Sequence, residues 1–199
     1  MLKNEHIFDM VFDIILKDSL KEKAEKMGFK AIVLDKTLII KTDKRDELIK
    51  KVSSYHAKGM PIIVLGSDDE INRMALEDKR TDMLINPEEK RKKDFMKWRN
   101  SGLNHVLCRF AAENNIKIGI SFSSLIKLGP EERALRIGRI MQNIRLCRKY
   151  STKIVLASFA EDELDLLTPY ELKSLGISFG MTPEQANKSL ENADEIFRS

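Results

Sequence analysis

Few side chains in this 199-residue sequence are suited to chemistry at neutral pH. The three histidines, His6, His56 and His105, stand at no metal-ligand spacing from one another. Two cysteines, Cys108 and Cys147, are far apart and form no C-x-x-C pair. The pattern argues against zinc and for reduced thiols in a core or on a surface. Asp68 and Asp69 could bind magnesium, but their place after Ser67 and before Ile71 favours the first turn of a helix, where the dipole stabilises negative charge. Asp13 and Asp35, inside and just after apolar runs, complete the carboxylates open to a metal-dependent reading. None of the nine glycines makes a G-x-G pair, and neither a G-x-x-x-x-G-K-[ST] loop nor a G-x-S-x-G elbow occurs. A dinucleotide fold, a P-loop and a serine-hydrolase site are therefore disfavoured.

Cations are more prominent than catalytic groups. The net charge is +4, yet it is unevenly placed. From Arg133 to Ala160 the bases are Arg133, Arg136, Arg139, Arg145, Arg148, Lys149 and Lys153, with no acid among them, and the rest of the chain is slightly acidic. A second tract runs Lys90-Arg91-Lys92-Lys93, then Lys97, Trp98 and Arg99, against Glu88, Glu89 and Asp94. Such asymmetry favours a polyanionic partner, although a solvated helix face explains many basic runs equally well. Trp98 is the only tryptophan. Between cations it could stack on an unpaired base, or its ring could pack against a neighbouring helix. His105 and Arg109, four apart, share one helical face and could donate to phosphate or carbonyl oxygens, or simply decorate a helix surface.

These groups need elements to position them. Short β-branched runs predict strands at Val11 to Ile15, Ala31 to Leu34, Ile62 to Leu65, Met83 to Ile85, Lys117 to Ser121 and Lys153 to Ala157. Leu38 to Ile40 follows Leu34 too closely for a helix between them and reads as a hairpin arm or an irregular extension. Thr168-Pro169-Tyr170-Glu171 and Thr182-Pro183-Glu184-Gln185 place an acceptor at the N-cap, proline at N1 and Glu or Gln at N3. Asn86-Pro87-Glu88-Glu89 and Gly129-Pro130-Glu131-Glu132 repeat the design more loosely. Strand and capped helix in alternation predict right-handed βαβ units and a parallel sheet, either a short or incomplete (β/α) barrel or an open doubly wound sheet. In the helix from Glu131 to Tyr150, Ile137, Ile140, Ile144 and Cys147 form the apolar stripe that faces the sheet. Arg145 and Lys149 project away from it, and Arg136 and Arg139 are expected on the far flank.

Apolar residues are 42% and charged residues 33% of the chain, enough for both a core and a solvated surface, and no linker divides it. One domain over residues 1–199 is expected. No apolar run approaches the ~18 residues of a membrane span, and Lys3, Glu5, Asp9 and Asp13 interrupt any secretory h-region. A cytoplasmic protein without a membrane partner is the expectation.

In order along the chain, Gly66 to Glu77, Asp82 to Glu88, Gly102 to Leu107, Asn143 to Tyr150, Ile154 to Ser158, Asp165 to Pro169, Leu175 and Gly180-Met181 together resemble the archaeal ribonuclease P protein component 3 family, the counterpart of a small eukaryotic ribonuclease P subunit. The match runs from about Ile62 to Leu190; upstream it is one of pattern only. The resemblance implies an α/β, TIM-barrel-like fold related to the polymerase and histidinol phosphatase (PHP) superfamily. It implies a non-catalytic protein subunit of a ribonucleoprotein that removes the 5′ leader from precursor tRNA. Its partners would be the ribonuclease P RNA, a small RRM-like protein subunit and the other ribonuclease P proteins, with precursor tRNA met indirectly. The chain itself would hold no cofactor, the magnesium being required by the RNA.

The scarcity of histidines agrees with that implication. PHP enzymes draw a His-x-His pair from the first strand, and here the same place reads Asp9-Met10-Val11-Phe12-Asp13. The chain departs from the family at Ser67, Asn86 and Phe159, and its Lys90 to Trp98 stretch is longer than usual. The residues expected to meet RNA or the protein partner are Arg145, Lys149 and Lys153, with Arg99, His105 and Arg109 as a second group. The competing reading is a PHP-type, metal-dependent phosphoesterase using Asp13, Asp35, Asp68 and Asp69.

Overall fold

The structure is a computed structural model and describes residues 11–90 and 93–197. His6, Asp9 and Met10, and Arg91 and Lys92 of the first basic tract, lie outside the described residues. Among the described residues seven strands alternate with helices. β1 (Phe12–Ile15) pairs in parallel with β2 (Lys30–Val33), and β3 (Ile39–Ile40), β4 (Ile63–Leu65), β5 (Met83–Ile85), β6 (Lys117–Ser121) and β7 (Ile154–Ala157) form a second parallel sheet in that order. The continuation of β7 joins the two sheets. Phe159 N–H donates to the Ile14 carbonyl and Leu16 N–H to the Ala160 carbonyl, each at 2.8 Å.

The alternation within each strand shows that the sheet is rolled. On β4, β5 and β7 the residues Ile63, Met83, Ile85, Val155 and Ala157 point to one side. There they meet Phe12 and Ile14 of β1, Leu34 after β2 and Ile39 of β3 in a single buried cluster. Strands at opposite ends of a sheet share a core only if the sheet curls on itself, so this cluster is the barrel interior. The alternate residues Val64, Leu84, Ile118, Ile120, Ile154 and Leu156 face outward into a larger core with the helices. The TIM-barrel-like expectation therefore holds, with seven strands among the described residues. Leu38 to Ile40 is neither a hairpin arm nor an irregular extension. One 3-10 turn at Lys36–Leu38, capped by the Asp35 side chain, carries the chain over from β2, and Ile39 and Ile40 pair in parallel with β4.

The outer layer contains α1 (Lys21–Lys26), α2 (Arg45–Ala57), α3 (Asp69–Glu77), α4 (His105–Glu113), α5 (Phe122–Ile126), α6 (Pro130–Lys149), α7 (Pro169–Ser178) and α8 (Pro183–Glu191). Thr168 and Glu171 close a reciprocal capping box on α7, and the Thr182 hydroxyl accepts from Gln185 N–H at the start of α8. On α6, Ile140, Ile144 and Cys147 are fully buried beside half-buried Ile137, each isoleucine contributing roughly 2 kcal/mol of burial. Asn86-Pro87 starts no helix. Asn86 adopts φ +48°, whereas an N-cap residue needs extended backbone, and among the described residues no helix forms between there and α4. A short α9 (Asp194–Phe197) closes the end of the barrel at which the strands begin. Ile196 enters the interior cluster, and the Glu195 carboxylate lies between Lys117 (3.2 Å) and Lys153 (2.7 Å).

Candidate nucleic-acid interface

The irregular segment between β5 and α4 is held in place by polar side chains of α3 and α6. Asn72 donates to the Pro87 and Gly102 carbonyls and accepts from Ser67 N–H. Gly102 has φ +76°, and a Cβ there would lie 1.9 Å from the Pro87 carbonyl oxygen, so only glycine allows the two turns to meet. On α6, Gln142 accepts from Arg99 N–H at 3.0 Å and donates to the Arg99 carbonyl at 2.8 Å, reading the loop backbone as a neighbouring strand would. Asn143 donates to the Ser101 carbonyl at 2.9 Å.

Asp94 is the hub. Its carboxylate accepts from Arg99 Nη1 (2.9 Å), Arg139 Nε (2.8 Å) and Asn100 N–H (3.0 Å). Partial burial opposes its ionisation, yet the Arg99 and Arg139 guanidiniums hold it below the usual carboxylate range. Gly138, in the middle of α6, makes room for this arrangement. A Cβ there would be 3.1 Å from the Arg99 guanidinium carbon.

On this scaffold Arg99, Arg145 and Lys149 line one groove of about 620 Å³ with Lys97, Trp98 and Gln142. An adjoining groove of about 530 Å³ contains His105 and shares Phe95, Trp98 and Arg99 with the first. The Arg109 guanidinium lies 5.7 Å and Lys149 Nζ 5.5 Å from the centre of the Tyr150 ring, within cation–π range. Five of the six expected contact residues thus share one face, built by the loop, α4 and α6. Lys153 does not join them. It is paired with Glu195, beside a different cleft that Arg148 and Lys188 line.

Two expectations for α6 change. Arg136 and Arg139 are 5% exposed and do not fringe the surface. Arg139 serves Asp94, and Arg136 lies between Glu89 and Glu132 at 3.8 Å from each. Arg133 donates to the Leu125, Ile126 and Leu128 carbonyls. The segment that looks acid-free in sequence is therefore partly neutralised by groups brought to it from elsewhere. Arg145 and Lys149 are exposed, and among the described residues no carboxylate is ion-paired to either. Asp94, Gln142, Gly138 and Tyr150 escaped the sequence reading. Only Gln142 and Gly138 left a hint, as uncharged interruptions in a run of bases.

The four carboxylates of the metal-dependent reading are dispersed. Asp35 caps the 3-10 turn, Asp68 caps α3 by accepting from Ile71 N–H, and Asp69 is in the first turn of that helix. Asp13 is buried and accepts from Ser158 N–H and Oγ, both at 2.6 Å. Burial pushes it up to about 6 against those hydrogen bonds. Among the described residues no three His, Cys, Asp or Glu side chains group so as to hold a metal ion. The thiols of Cys108 on α4 and Cys147 on α6 are free and buried, near enough that each shifts the ionisation of the other.

Comparison with known proteins gives the family. The family model described as RNase P subunit p30 matches residues 30–199. Ribonuclease P protein component 3 of Thermococcus kodakarensis is 34% identical over 175 residues, which is 88% of this chain and 72% of that protein. The protein of the same name from Methanocaldococcus jannaschii is 30% identical over 97% of this chain and 80% of its own length. Among solved structures, a chain of an archaeal ribonuclease P with mature tRNA, determined by cryo-EM, superposes with a TM-score of 0.71 at 28% identity, covering 93% of this chain and 79% of that one. Matched over most of its length in sequence and in fold, the chain belongs to the RNase P subunit p30 family.

Proposed function

We propose that this chain is a non-catalytic protein subunit of ribonuclease P and that the face built by the 93–104 loop, α4 and α6 lies on the RNA of the particle. The observation that carries the reading is the groove in which Arg99, Arg145 and Lys149 converge, the last two without an ion-paired carboxylate among the described residues. Polynucleotide backbones are bound chiefly by such uncompensated cations, which release condensed counterions on contact. In this reading the RNA cleaves the 5′ leader from precursor tRNA and carries the magnesium that cleavage requires. This chain stabilises the RNA's fold, works in the cytoplasm beside a small RRM-like subunit, and meets precursor tRNA only indirectly. His105 and Arg109 extend the same face. Lys153 belongs to it only if the Glu195 pair opens in the particle.

The test is salt-dependent binding to ribonuclease P RNA. Each lost phosphate contact removes about 0.7 to 0.9 from the magnitude of the log–log slope. Arg145→Ala with Lys149→Ala should therefore flatten it by roughly 1.4 to 1.8, and should raise the magnesium needed for precursor tRNA cleavage by the reconstituted particle. An unaltered slope would remove this face from the RNA. Normal RNA binding with weakened capture of a protein subunit would assign the face to that subunit.

A further inference from the structure

The aromatic pair at the tip of the 93–104 loop plays no part in binding phosphates, and packing does not account for it. Trp98 is 60% and Phe95 52% exposed. Their ring centres are 5.6 Å apart and the planes are inclined at 47°. A tryptophan placed to seal a core would be covered, and exposure of this much apolar ring costs free energy unless something else covers it. The pair is also not free to collapse onto the protein. Phe95 N–H donates to the Trp98 carbonyl, Gln142 pairs with both backbone groups of Arg99, and Asp94 ties Arg99 to Arg139. The rings are thus presented on a loop whose backbone is fixed on either side of them.

The neighbours of the rings decide what would cover them. Phe95, Trp98 and Arg99 form the ridge shared by the two grooves, and the larger groove adds Lys97, Arg145 and Lys149 against the single carboxylate Asp94, which is already occupied by two guanidiniums. An apolar ring face bordered by several cations fits a ligand that is flat and aromatic on one part and anionic on the next. A base-paired helix offers phosphates but keeps its base faces stacked and inaccessible. An unpaired nucleotide offers both. Resting on the reading of this face as an RNA surface, we propose that Trp98 and Phe95 receive a base from a single-stranded segment of RNA, with Arg99, Arg145 and Lys149 on the phosphates that flank it. The face would thereby select unpaired RNA over duplex, and would do so through base faces, with little preference for sequence.

Trp98 is the only tryptophan, so its fluorescence reports on this position alone. The probe is an oligoadenylate of about ten nucleotides, matched to the ~4–16 nucleotides that single-strand sites typically span, alongside an RNA duplex of the same length. The single strand should quench Trp98 and the duplex should not. Read by anisotropy of a labelled single strand, Trp98→Ala should weaken binding about fivefold or more, the loss typical of one stacked base. Trp98→Phe should retain most of the affinity, and both variants should keep the wild-type salt slope and melting temperature. Equal binding of the single strand by wild type and Trp98→Ala, or equal quenching by the duplex, would overturn the inference. So would loss of a protein subunit from the reconstituted particle on Trp98→Ala with oligoadenylate binding unchanged, since the rings would then cover protein. The two readings fail separately. A flattened slope in the Arg145 and Lys149 double variant with no effect at Trp98 leaves the phosphate contacts standing and removes only the stacked base.

Discussion

Single residues in this protein carry signals that depend on their surroundings more than on their type. Glu88 is fully buried beside Arg136 and Glu89, and burial pushes its carboxyl up to about 7. One of its oxygens, Oε1, has no partner, and neither does Oδ1 of Asn143, whose amide nitrogen donates to the other Glu88 oxygen at 3.3 Å. An ionised carboxylate so placed would hold charge on an oxygen with no donor, whereas a protonated acid avoids that cost. Because the folded state binds this proton more tightly than the unfolded state, with its ordinary value of 4.5, the contribution is complete at pH values below 4.5 and is lost as pH rises through about 7. Asp13, raised to about 6, acts in the same sense. Wild type should lose on the order of 2–3 kcal/mol from Glu88 between pH 5 and 8. Glu88→Gln, which imitates the protonated acid, should melt higher than wild type at pH 8 and show a flatter profile in a pH series of thermal melts; an identical profile would show that Glu88 is ionised throughout. None of this was legible in Asn86-Pro87-Glu88-Glu89, which reads as a helix start. By contrast the exposure of Arg145 and Lys149 was legible, because both project away from the apolar stripe that α6 buries. Arg139 was misplaced because its partner Asp94 lies 45 positions away, beyond the reach of any helical periodicity.

At the scale of elements, local rules read well wherever both partners lie within one turn. The Thr168 box and the Thr182 cap form as their sequences require, and the isoleucine stripe of α6 meets the sheet. Contacts between elements were not legible. Neither the approach of the buried Cys108 and Cys147 thiols from α4 and α6 nor the seat that Gly138 makes for Arg99 has a local signature. That seat separates stability from binding. Replacing glycine with alanine inside a helix typically gains about 1 kcal/mol, but the new methyl group would press on the Arg99 guanidinium. Gly138→Ala should therefore leave the melting temperature unchanged or raised while weakening RNA binding by the full chain. A variant that melts lower and binds normally would contradict this account of α6.

The whole molecule is a rolled parallel sheet whose interior is closed at one end by α9. The alternation of strands and helices made the barrel legible, while its closure depends on Glu195, an unremarkable acid in sequence. Lys117 is 4% exposed and pairs with that carboxylate, whereas Lys153 is half in solvent. Glu195→Ala should cost about 1–3 kcal/mol by leaving the buried Lys117 ammonium only the more distant Asp82 carboxylate as counter-charge, moderated by the water that already reaches Glu195. Lys153→Ala should cost less than about 1 kcal/mol. Denaturant melts of the two variants would rank them, and equal losses would mean that Lys117 draws its compensation elsewhere. The clamp that α6 places on the 93–104 loop has a consequence for how the particle assembles. The Asp94, Gln142 and Asn143 bonds form when the polypeptide folds, so this face is preorganised before it meets any partner. On the reading proposed above, most of the ordering on association then falls to the nucleic acid, and this subunit acts as a mould against which a flexible strand sets.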